Sequence, residues 1–212
     1  MRRRDFLRKG LAFGTAALLP GTGLPAFGGL LDVADSDDKK RILREARAIP
    51  GKTSDVKFSD FILFDAITPK IKATDKQGVI HEMVQSLLDA GGIKKEEYEG
   101  IVKAIIKREE LGSTGIGCGI ALPHEKYPSM KRHVGAFAIS TEGIDFDCLD
   151  DEKAQLFFMV ISPSDDSIGH LRVMEHLTRR LKDDTFRRFL KQSKTREEIL
   201  ALLEEDDSDE RR

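Results

Sequence analysis

The chain contains no tryptophan, only two tyrosines and only two cysteines in 212 residues. Without aromatic platforms it is poorly equipped to stack sugars or single-stranded bases. Cys118 and Cys148 are too few for a disulfide framework or a cysteine-rich zinc centre. An excess of one charge is missing as well. Lysines and arginines number 35 against 37 aspartates and glutamates, a net charge of −2. That balance excludes a basic footprint, so no nucleic-acid partner is expected. A clean membrane-length apolar run is also lacking. Residues 10–31 are uncharged, but six glycines and two prolines interrupt them, and both residue types oppose a continuous helix.

What is present is 40% hydrophobic and 34% charged sequence, enough for a core and a solvated surface. The charge is distributed unevenly. Residues 1–9 carry five basic groups and one acid, while Glu204–Arg212 hold six acids and two arginines. The basic opening, the apolar segment Leu11–Leu19 and the small residues at Ala26-Phe27-Gly28 are the parts of a secretory signal. Arg3-Arg4-Asp5-Phe6-Leu7-Arg8 also resembles the twin-arginine export motif. Residues 1–31 therefore read as a signal-like head or a disordered basic extension. Residues 32–55 read as a charged linker with a short helix around Lys39 to Ala48, closed by Pro50-Gly51. The folded domain is expected over residues 56–205, followed by a solvated, disordered acidic tail over 206–212.

Within the domain, Phe58, Phe61, Ile62, Phe64 and Ile67 form an apolar opening segment. Thr74-x-x-Gln77 reads as a capping box for a helix with Val79, Ile80, Met83, Val84, Leu87 and Leu88 on one face, stopped by Gly91-Gly92. A second helix from near Lys94 buries Tyr98, Ile101, Val102, Ile105 and Ile106. Three β-type runs follow at Gly119–Leu122, His133–Ser140 and Gln155–Ser162. The last is continuously apolar, as in a strand covered on both faces. A helix over Ser167–Lys182 should turn Ile168, Leu171, Met174, Leu177 and Leu181 inward. Helices at Asp184–Lys191 and Thr195–Glu205 complete the chain, the latter opened by the capping signature Thr195-x-x-Glu198. The pattern is that of an α/β domain, a mixed β-sheet flanked by helices on both faces.

Chemistry points to Gly112-Ser-Thr-Gly-Ile-Gly-Cys-Gly-Ile-Ala-Leu-Pro-His124. Glycines at 112, 115, 117 and 119 permit backbone shapes that side chains block. No lysine follows them in the phosphate-loop position, and the dinucleotide pattern fails at Leu122. A nucleotide cofactor is thus not expected. Pro123 would stiffen a strand end, expected at a surface edge, and present His124, whose neutral ring is nucleophilic at physiological pH. On spacing alone, a structural or merely exposed histidine is the commoner outcome. Arg108 carries paired donors suited to phosphoryl oxygens. His170 stands near a helix start, where backbone N–H groups favour an anion. Zinc at His124, His170 and Cys118 lacks any motif spacing, and no metal is expected.

The stretch from Arg108-Glu-Glu-Leu-Gly-Ser-Thr to Ala121-Leu-Pro-His124 resembles the phosphorylation-site signature of enzyme IIA domains of the fructose/mannitol type. These belong to the bacterial phosphoenolpyruvate-dependent phosphotransferase system. The resemblance extends over about Phe58 to Glu205. It implies that His124 takes a phosphoryl group from the small carrier HPr, with Arg108 and His170 steadying the phosphoryl oxygens. It also implies an enzyme IIB, or a regulated protein, as the next partner, with the loop wording nearer the nitrogen-regulatory branch. A cytoplasmic location goes with that relay. Cys118 stands where the family often has Asn, and is expected to be a small buried residue, with a redox-sensitive thiol as the alternative. Glu125 stands where a small residue is common, and its carboxylate is expected to disfavour an incoming phosphate and raise the His124 pKa, or instead to meet a basic partner surface. The competing function is a non-catalytic IIA-like sensor or interaction module, exported or membrane-attached through the head.

Overall fold

Leu156 to Ile161 have no measurable exposure on either side, and the rest of the chain is arranged around them. The structure is a computed structural model that describes residues 56–209. The signal-like head, the linker with its short helix and residues 210–212 lie outside the described residues. The elements in chain order are helix α1 (Phe58–Phe61), β1 (Ile62–Thr68), α2 (Lys76–Asp89), a 3-10 turn (Lys95–Glu97) and α3 (Tyr98–Leu111). Strands β2 (Gly115–Gly117), β3 (Ile120–Ala121), β4 (His124–Tyr127), β5 (Val134–Ile144) and β6 (Ala154–Pro163) follow. Helices α4 (Ser167–Arg180), α5 (Asp184–Gln192) and α6 (Arg196–Asp209) end the fold.

The sheet runs in the order β1-β5-β6-β3-β2, with β4 also paired to β6. The β5–β6 and β2–β3 pairs are antiparallel, whereas β1–β5, β3–β6 and β4–β6 are parallel. Successive side chains of a strand point to opposite faces, and β6 shows this directly. Phe157, Met159 and Ile161 enter a core shared with α2 and α3, while Leu156, Phe158 and Val160 enter one shared with α1, α4, α5 and α6. The continuous apolar run is therefore two interleaved half-faces, and the expected mixed sheet between helices is what forms. Phe137 and Phe158 meet across β5 and β6 with ring centroids 4.4 Å apart. Burying each such ring stabilises by ~1.5–3 kcal/mol before entropy is counted.

Helix α2 ends as the glycine pair predicts. Gly91 adopts φ 69°, and Gly92 N and Gly91 N donate back to Leu87 O and Leu88 O, closing the last turn. Its start differs from the capping box expected at Thr74. Asp75 is the cap, its carboxylate accepting from Gly78 N at 2.8 Å; a short carboxylate reaches the third amide as well as a hydroxyl does. Thr195 does cap α6, through Glu198 N at 3.2 Å.

Three other expectations are corrected. On α4 the buried residues are His170, Val173, Met174, His176 and Leu177, whereas Ile168 and Leu171 are only half-buried. The helix is rotated so that two histidines take inward positions. The acidic tail does not begin at 206: α6 continues to Asp209, with Asp206 and Asp207 buried. Asp207 accepts from Phe58 N at 2.8 Å and Ser59 N at 3.1 Å, and Asp206 pairs with Arg180. These carboxylates cap α1 and neutralise α4, which is why the acidic run stays helical. The sheet has three strands beyond the three expected runs: the apolar opening segment supplies β1, and β2 and β4 are three and four residues long, too short for a period to show.

Candidate functional site

The glycine-rich loop is a tight hairpin between β2 and β3. Gly117, Cys118 and Gly119 all take positive φ, at 93°, 57° and 76°. A Cβ at Gly117 would lie 2.8 Å from Asp150 Oδ2, the atom that accepts from Cys118 N at 2.7 Å. Glycine is therefore required here by both the backbone turn and the approach of Asp150. The Cys118 thiol is exposed, against the expectation of a buried residue, because the turn projects outward. Upstream, the loop is tied to the last turn of α3. Buried Glu109 accepts from Thr114 N at 2.9 Å and Thr114 Oγ1 at 2.7 Å, and pairs with Lys76 at 3.2 Å.

From the hairpin the chain runs along β6. Ala121 faces Phe157 and His124 faces Val160, so β3 and β4 keep one register across Leu122-Pro123. Proline has no N–H to give to the ladder, which breaks it there. Pro123 is nevertheless buried, and His124 opens a strand instead of following one. The interruption leaves the Leu122 carbonyl to meet the His124 ring, with Nδ1 to O at 2.7 Å. A carbonyl only accepts, so the proton sits on Nδ1 and Nε2 carries the free lone pair.

His170 comes to the same place from α4. Its ring centroid lies 5.6 Å from that of His124, and its Nδ1 is 2.8 Å from the fully buried Ser162 Oγ at the end of β6. With the Ser162 hydroxyl donating to Nδ1, the Nε2–H of His170 remains a donor. The helix start itself is not an open anion site. Asp166 caps it through Gly169 N at 2.8 Å and also holds His133 at 3.0 Å. Arg108 acts on His124 through its charge, while its guanidinium donates to Gly112 O at 3.0 Å.

Burial is the main force on both rings, because desolvation disfavours the charged form. It pushes His124 below its ordinary 6.5; the Leu122 carbonyl opposes this, Arg108 adds to it and Glu109 opposes. His170 is pushed down to about 3, by burial and then by the charges of His124, Lys126 and His133. Both rings are neutral at neutral pH. The expected increase from Glu125 does not occur. That side chain is half-buried and turned to Lys126 N at 2.8 Å, and the carboxylate acting on His124 is Glu109.

The structure thus brings His124 and His170 together, with Arg108 nearby in the electrostatic sense. Sequence reasoning missed Glu109, Ser162 and the Leu122 carbonyl. Glu109 was visible as the second residue of the signature, but only its burial marks it. Cys118 lies away from the histidine pair. Among the described residues, the grouping with metal-like spacing is His176, Asp206 and Asp207, whose carboxylates are engaged by Arg180 and the α1 amides.

A neutral, fixed, nucleophilic imidazole beside a second histidine and an arginine suits transfer of an anionic group. The family described as "Phosphoenolpyruvate-dependent sugar phosphotransferase system, EIIA 2" matches residues 61–206. The chain belongs to this family. The EIIA domain is 33% identical over 130 residues to a fructose-specific EIIA component of the phosphotransferase system from Haloferax volcanii, covering 61% of this chain and 83% of that protein. Its fold matches the nitrogen regulatory protein IIA-Ntr of Neisseria meningitidis with a TM-score of 0.63 and 26% identity, over 69% of this chain and 98% of that one. It also matches the mannitol enzyme IIA of Escherichia coli solved in complex with phosphorylated enzyme IIB, with a TM-score of 0.54 and 26% identity, over 66% and 94% of the two chains. The EIIA domain is accordingly a phosphotransfer component of that system, and its relatives include both sugar-transport and regulatory proteins. No helix among the described residues is long and apolar enough to cross a membrane.

Proposed function

We propose that His124 is a phosphoryl carrier that accepts through Nε2 from the phosphohistidine of an HPr-type protein. The observation that carries this reading is the 2.7 Å bond from Nδ1 to the Leu122 carbonyl, which fixes both the tautomer and the direction of Nε2. As the Nε2–P bond forms, the donor's N–P bond breaks, and the donor ring, protonated on its other nitrogen, leaves as neutral imidazole. His124 keeps its Nδ1 proton, so the positive charge developing on its ring lies against a carbonyl oxygen. The same carbonyl favours the charged ring in the resting protein, and stabilising developing charge with a fixed dipole is the general economy of such sites.

His170, held neutral, offers an N–H to a phosphoryl oxygen, and Arg108 supplies the positive charge. Positioning and charge stabilisation suffice for phosphoryl transfer, with no metal or nucleotide cofactor needed. The phosphoryl group then goes to an enzyme IIB, as pairing in the mannitol proteins supports, or its presence controls binding to a regulated protein, as the IIA-Ntr relatives support. A donor in a cytoplasmic relay supports a cytoplasmic place of work for the domain.

The test is a relay assay on the purified chain with phosphoenolpyruvate, enzyme I and HPr, read by intact mass. One acid-labile phosphoryl group on the native chain and none on His124→Ala is expected. Equal labelling of the two would remove His124 from the role. A folded native chain that takes no label would favour the sensor-module reading.

A further inference from the structure

We propose that the basic linker segment around Lys39 to Ala48 docks, within the same chain, in the groove between α5 and α6. This concerns a surface separate from His124 and does not depend on the carrier reading. The groove has a volume of about 360 Å³ and is floored by Phe189, Ala201 and Leu202, with Glu198 and Glu205 on its rim. Phe189 is 47% exposed, one of five large apolar residues left so open among the described residues. The groove is therefore apolar in its floor and negative at its border.

The segment has the complementary pattern. Lys39, Lys40, Arg41, Arg44 and Arg47 stand against a single acid, Glu45, while Ile42, Leu43 and Ala46 fall at helical spacing with Ile49 continuing the stripe. Such a helix, about ten residues long, is marginal in water unless its apolar face finds a partner.

The point where the chain joins the fold brings the two together. Phe58 N and Ser59 N are bonded to Asp207 on α6, and Val56 packs against the same core as Leu200 and Leu202. Leu202 lies five residues before Asp207 on the helix, about 7.5 Å along its axis, and at about 100° per residue the groove side of α6 is turned nearly half a circle from Asp207, so the tether passes round the helix over about 20 Å. Residues 50–55 can span up to about 20 Å when extended. Extended, the tether just covers that path, which keeps docking within the same chain.

Hydrogen–deuterium exchange by mass spectrometry on the full chain tests the proposal, with Ala201→Arg/Glu205→Lys as the blocked variant. Both changes are at exposed helix positions, and circular dichroism would confirm that the domain is retained. Amides of residues 42–49 are expected to exchange at least tenfold more slowly than their intrinsic rates in the native chain, at any protein concentration, and to lose that protection in the variant. Exchange at intrinsic rates in the native chain would overturn the proposal, as would protection that survives in the variant. Protection that grows with protein concentration would also overturn it, showing that the segment reaches a second copy instead.

Discussion

The neutral state of His170 makes a quantitative demand on stability in acid. Its pKa falls from 6.5 in the unfolded chain to about 3 in the fold. Between those values the unfolded chain binds the extra proton, so stability rises with pH across this window. The contribution is fully present above about pH 6.5 and drains away as pH falls towards 3. At pH 4.5 the unfolded histidine is protonated and the folded one is not, two pH units below the unfolded value. At 1.36 kcal/mol per unit this costs about 3 kcal/mol, a large share of the ~5–15 kcal/mol typical of a domain. His124 acts in the same direction. Replacing His170 by Gln removes the titrating ring while leaving an amide near Ser162. Urea unfolding of both chains at pH 7.0 and 4.5 gives the comparison. The native chain should lose about 3 kcal/mol more than His170→Gln between the two pH values. Equal losses in the two chains would refute the claim that burial holds this ring neutral.

Three further outcomes follow from the geometry. Because the Arg108 charge lowers the His124 pKa, Arg108→Gln should raise it in an NMR titration, and phosphoryl labelling should slow even though the acceptor is present. Asp207→Ala removes the carboxylate that satisfies two α1 amides, and should cost ~1–3 kcal/mol in urea unfolding, the penalty for leaving buried donors unpaired. Cys118→Asn should stabilise by up to about 1 kcal/mol, since asparagine tolerates the positive φ of that turn better than cysteine does; a loss of stability would mean that the thiol has contacts worth more than the strain.

Much of this is legible in the sequence. The buried strand β6 announced itself because a run of apolar residues with no polar partner has to be covered on both sides. The glycines at 117 and 119 marked a backbone that side chains cannot follow. Other features depended on neighbours remote in sequence. Asp206 and Asp207 read as solvated tail because their partners, Arg180 and the amides of Phe58 and Ser59, lie up to 149 residues away. The inward turn of His170 and His176 could not be read from an apolar stripe, since histidines do not belong to one. The clamp on His124 is a carbonyl, and backbone groups carry no residue-type signal at all.

The tie between Asp207 and α1 also has a bearing on how the domain can be joined to others. It brings the first and last helices of the described fold together, so both ends of the unit leave from one place. A unit whose ends adjoin can be inserted into a loop of another protein, or have its original ends linked and new ones opened elsewhere, with little rearrangement of its core. A circular permutant of the domain opened at the exposed turn around Leu149, with a short linker joining the old ends, should retain the sheet and the His124–His170 pair. In that respect the fold resembles a plug with both wires on the same side.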